Sequence, residues 1–141
     1  MIPLIRKMQE EQQIKKDLVA FLDEMERNLE TFYVMDQRQF ITQGFALRTW
    51  AQVKDQPCIK KHESILVCMK CLDEFNNLFQ AHKDFEKWYT SDLQHKTPDN
   101  AKKLHGMKHD LDKKLKAMES IIIPAGQALE KEMLDLGLLK A

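Results

Sequence analysis

The chain reads as all-α, an antiparallel four-helix bundle of unequal, staggered helices whose last helix is kinked at a proline. Three observations point there. Only four glycines and four prolines punctuate 141 residues, so the elements must be few and long. Apolar residues recur at steps of three and four, the period of a helix with one buried face. No repeat, low-complexity tract or linker divides the chain, so residues 1–141 are expected to form one domain, long enough to bury a core.

The first helix is expected from about Pro3, a residue suited to a first turn, to about Phe32. Its apolar stripe is Ile14, Leu18, Phe21, Met25 and Phe32, with Leu22 and Leu29 beside it. Asp36 is placed as the cap of a second helix over 37–54, with Gln39 three residues on in capping-box position. The apolar residues of that segment, Phe40, Ile41, Phe45, Leu47, Trp50 and Val53, spread around most of a helical circumference. A helix of that kind must be covered on several sides.

"KDQP" at 54–57 closes the second helix and opens the third, with Pro57 near the first turn. The third carries a heptad-like seam: Ile65, Cys68, Leu72, Phe75, Phe79, His82, Glu86, Tyr89 and Leu93. "TPDN" at 97–100 starts the fourth, with Thr97 as cap, Pro98 at the first helical position and Asp99 in the first turn. Its stripe is Leu104, Met107, Leu111, Leu115, Met118, Ile122, Ala125, Leu129 and Met133. Pro124 inside that stripe predicts a kink near Ile121–Pro124, and Gly137 supplies the stop.

Short turns make consecutive helices antiparallel neighbours. Counting outward from the turn near 96 sets Glu86 opposite Met107 and His82 opposite Leu111. The third helix then outruns the first–second turn by a long stretch, and the start of the first helix overshoots the bundle at its other end. Ile2, Leu4, Ile5 and Met8 would be bare on one overhang, and Phe85, Trp88, Tyr89 and Leu93 on the other. Bare apolar tips predict an interface, most simply a homodimer, with Trp50, Phe85, Trp88, Tyr89 and Leu93 as contact residues. A break at Asn76–Asn77, folding the third helix back into a compact monomer, is the other reading.

Charge and thiols exclude several classes. With 22 basic and 22 acidic residues, the chain lacks the basic excess of a nucleic-acid binder, and the lysines of 98–116 read as a solvated helix face. No stretch approaches the roughly 20 apolar residues that span a bilayer. Arg6 and Lys7 precede a run broken by Glu10 and Glu11, so no signal peptide is expected. Three cysteines argue against a disulfide framework and for a reducing, cytoplasmic setting. "CMKC" at 68–71 falls inside a helix, away from the N-terminus where a dipole would activate a thiol, so its cysteines read as buried apolar groups. No nucleophile–base set and no Gly-rich phosphate loop is present, which favours a non-enzymatic role.

Two spacings carry candidate chemistry. His82 and Glu86 stand four apart on the third helix, and His105 and His109 stand four apart on the fourth. Imidazole and carboxylate at that spacing can chelate iron, zinc or manganese. HxxxE followed by HxxxH resembles part of the hemerythrin pattern, which implies a four-helix bundle holding two irons for oxygen binding. The likeness covers about thirty residues; no histidine follows His109, and His62 lies about twenty residues from His82. His105 and His109 also project about 120–160° from the apolar face of their helix, toward solvent. "HGMK" at 105–108 resembles the HxxK fragment of histidine phosphotransfer modules, which implies a phosphoacceptor role for His105.

Overall fold

The computed structural model describes residues 2–139. Among them the regular structure is entirely helical: α1 (Ile2–Arg38), α2 (Trp50–Val53), α3 (Pro57–Lys60), α4 (Glu63–Ser91) and α5 (Pro98–Asp135), with a 3₁₀ turn at Leu93–His95. Three helices are long and two are single turns.

Of the predicted second helix over 37–54 only a last turn, α2, forms. α1 instead continues past Asp36 to Arg38 and stops at Gln39, whose φ of 51° lies in the left-handed region. Phe40 N–H then donates back to Met35 O and Gln39 N–H to Asp36 O, the pair of bonds that closes a helix C-terminus. Asp36 is thus part of an ending. The chain from Phe40 to Thr49 is a non-helical strap lying between α1 and α4. Propensity loses here because tertiary hydrogen bonds satisfy the strap's backbone in an open conformation.

α5 follows its sequence signals closely. Thr97 Oγ1 accepts from Asn100 N–H at 3.1 Å, and Pro98 occupies the first turn. The helix contains Pro124, which has no N–H to offer the Ser120 carbonyl. At the far end Leu138 N–H donates to Met133 O and Gly137 N–H to Leu134 O, with Gly137 at φ 71°. Only a glycine takes that conformation without strain, so the predicted stop is the actual one.

α4 and α5 form an antiparallel hairpin; Glu74 meets Lys114, and His62 meets Glu132. Phe85 lies under Lys103, so the arms sit about one helical turn from the predicted register, which set Glu86 opposite Met107. The turn is centred earlier than expected because α4 ends at Ser91, short of Leu93, and the 3₁₀ turn Leu93–His95 follows. α1 runs antiparallel to α5, with Leu22, Met25 and Leu29 facing Ile122, Gly126 and Leu129. One continuous core joins the pieces, with Phe21, Phe32 and Phe75 among its largest fully buried side chains.

α4 passes through Asn76–Asn77 without a break, so the folded-back alternative is not what the chain adopts. Both overhangs exist. The first buried residue of α1 is Leu18, and between Phe75 and Leu111 no residue is buried. Leu4, Ile5 and Met8 are exposed on the first overhang, while the side chain of Ile2 lies outside what is described.

Candidate interaction surfaces

The tip of the α4–α5 hairpin is ordered by side chains that cap its own backbone. Helix C-termini leave carbonyls without intrahelical partners. Here the Trp88 carbonyl accepts from Ser91 Oγ at 2.6 Å and from His95 Nδ1 at 2.8 Å. A carbonyl only accepts, so His95 carries its proton on Nδ1. Its ring stacks on the Trp88 indole with centroids 3.9 Å apart and planes 14° from parallel. Asp92 accepts from Gln94 N–H, and Asn100 Nδ2 donates to His95 O, fixing the turn between the arms.

This scaffold displays apolar groups. Trp88 is 43% exposed and packs against Phe85 at 5.5 Å, while Lys103 lies over the other ring at 4.8 Å. Tyr89 is half-buried, and Leu93 at the turn is 81% exposed. Of the five predicted contact residues, Trp50 stands apart. It is half-buried at the opposite half of the molecule, with its ring 5.6 Å from that of Phe21. Its place on α2 makes it a partial cover for the core.

The predicted metal ligands do not converge. His82 is half-buried, whereas Glu86, His105 and His109 are exposed. Among the described residues no three His, Cys, Asp or Glu side chains are arranged to hold a metal ion. His105 and His109 point to solvent because the apolar stripe of α5 claims the opposite face. The three cysteines are free; burial pushes the Cys68 thiol up to about 12 and also raises Cys71. No helix among the described residues is long and apolar enough to cross a membrane.

Two polar clusters escaped the sequence reading. Glu132 is 4% exposed, with Oε1 2.7 Å from His62 Nε2 and 2.8 Å from Lys61 Nζ. The Lys61 hydrogen bond holds this carboxyl below its ordinary range, opposed by burial and helped by His62. Cys58 lies near enough to feel that charge, and burial together with Glu132 raises its thiol. A raised thiol is a poor nucleophile, so Cys58, His62 and Glu132 are not poised for thiolate chemistry.

The second cluster grips the strap. Asn28, 3% exposed, and Asn76 each bond both backbone groups of one strap residue, and Glu24 accepts twice from Thr49. A signal was available. Asn28 falls between Met25 and Phe32 on the seam of α1, and Glu132 beside Met133 on that of α5. A polar residue at a buried phase needs partners there.

Compared with known protein families, curated proteins and solved structures, the chain matches none.

Proposed function

We propose that the chain is a non-enzymatic helical interaction module that docks through the tip of its α4–α5 hairpin, in the simplest case as a homodimer. The observation that supports this reading is the exposure of Trp88 and Leu93 on an arm with no buried residue from 76 to 110. Beyond Phe79 such an arm adds little to the core, yet its tip is held by capping bonds. An aromatic residue and a leucine held rigidly at a protruding tip suit an interface anchor, because little side-chain entropy is left to lose on binding. Free, buried thiols suit a reducing, cytoplasmic setting.

Light scattering over a wide concentration range tests the reading. The mass should rise with concentration, and Leu93→Lys or Trp88→Lys should abolish the rise while the helical circular dichroism stays intact. A mass of one chain at every concentration, unchanged by either substitution, sinks self-association through the tip.

A further inference from the structure

The strap is held in an unusual way for a bundle connection. Of its ten residues, 40–49, only Phe45 is buried. Ile41 and Leu47 pack against the core only in part, and much of the remaining grip is on the main chain. Asn76 of α4 donates from Nδ2 to Phe45 O at 2.9 Å and accepts on Oδ1 from Phe45 N–H at 2.7 Å. Asn28 of α1 treats Ala46 alike, donating at 2.8 Å and accepting at 3.0 Å. Adjacent residues are therefore each read in both senses, from opposite walls. A side-chain amide offers one donor face and one acceptor face, so the two asparagines replace the strand neighbour that a helical protein lacks.

Selectivity is built in beside the main-chain grip. A Cβ at Gly44 would lie 2.6 Å from Asn76 Oδ1, so only glycine fits without displacing that clamp. The Phe45 ring packs on Phe75 at 5.1 Å, and Phe75 in turn stacks on Phe79. Four residues beyond Phe45, Thr49 gives both its N–H and its hydroxyl to Glu24 Oε1, each at 3.1 Å. Main-chain bonds that give affinity, and pockets that choose side chains, are the means by which proteins recognise extended peptides.

We propose that the channel between α1 and α4 is an extended-peptide site closed in cis by the strap, and that its external ligand is a partner segment carrying Gly-Phe with Thr or Ser four residues after the Phe. The strap itself specifies that chemistry position by position. A ligand on a short tether competes at an effective concentration on the order of millimolar. The resident segment therefore excludes partners of micromolar affinity until it is loosened. This site is separate from the hairpin tip, and neither depends on the other.

The probe is a fluorescent peptide of residues 40–50, titrated by anisotropy into the full chain and into a strap-weakened double variant, Gly44→Ala with Phe45→Ser. The weakened chain should bind at least tenfold more tightly than the unaltered one, and adding Asn76→Leu should remove that gain. Equal binding by both chains, or binding indifferent to Asn76→Leu, overturns the proposal. Should the double variant fail to fold, amide exchange on the unaltered chain decides. The N–H groups of Phe45 and Ala46 should exchange at least tenfold faster than those of Leu72 and Phe75, through local opening. A single common rate means that the strap leaves only with the whole fold, and the proposal fails.

Discussion

His62, the residue just before α4, and Glu132, in the last turn of α5, meet at 2.7 Å and tie the hairpin together at its base. The carboxylate is 6% exposed at its side chain, His62 22% and Lys61 59%. A nearly buried charge depends on its partners, and the more buried partner is screened least. His62→Ala is expected to cost about 2 kcal/mol, the worth of a hydrogen bond to a charged group. Lys61→Ala should cost under about 1 kcal/mol, as exposed pairs do. Urea melts of the two variants at neutral pH compare them directly.

The same carboxylate gives a pH dependence with a definite sign. Its proton affinity in the folded chain is held below the ordinary carboxylate value of 4.5. The unfolded chain therefore binds the proton first, and stability rises with pH through that window. The contribution is full above about pH 4.5 and disappears as pH falls through the lower folded value. Glu74, lowered by Lys114, acts with the same sign, so a single melt series cannot separate them. Glu132→Gln should be clearly less stable than the unaltered chain at pH 7, with the gap narrowing as the pH falls below 4.5.

Asn28→Leu and Asn76→Leu should each cost about 1–3 kcal/mol, because each strips two bonds from a strap residue. The two losses should not add. Once one clamp is gone the strap loosens, and the second has less to hold, so the double variant should fall short of the sum by at least about 0.5 kcal/mol. Full additivity in denaturant melts would show that the clamps act independently.

Gln39 sits in a left-handed conformation at the end of α1, exposed to solvent. Glycine takes that conformation without the Cβ strain that a glutamine bears. Gln39→Gly is expected to stabilise the fold by about 0.5–1 kcal/mol even though it removes a side chain. A lowered midpoint in thermal or urea unfolding contradicts the assignment of this residue as the helix stop.

Thiol labelling checks the packing of α4. Cys68 and Cys71 are buried and Cys58 half-buried, and each has its thiol raised. At pH 8 all three should react more slowly than a free thiol, with Cys68 the slowest and labelled only at the rate of unfolding. Mass spectrometry after timed quenching resolves the order.

The parts of the fold that were legible in the sequence are those whose signals are local. Thr97–Pro98–Asp99 starts α5, Gly137 ends it, and the seam from Ile65 to Phe79 marks α4; each depends only on neighbours along the chain. The overhangs followed from lengths. What was not legible depends on partners far away in sequence. Residues 37–54 carry helical spacing, yet Asn28 and Asn76 draw the backbone of Phe45 and Ala46 into bonds no helix could make. Trp50 lies apart from the other four expected contact residues for the same reason, since the strap carries it to α2, where its ring packs on Phe21. The histidine spacings alone did not bring three candidate ligands together among the described residues, because the apolar stripe of α5 decides which way its histidines face.

Because burial stops at Phe75 and Leu111, the outer hairpin behaves as a spacer whose length folding does not set. Removing residues 80–86 from one arm and 102–108 from the other would draw the Trp88 end inward by about 10 Å. Seven residues make almost two whole turns, so every side chain below the cut would keep its rotational phase. The molecule then has an adjustable reach, a ruler that can be shortened or lengthened by heptads while the bundle beneath it stays as it is.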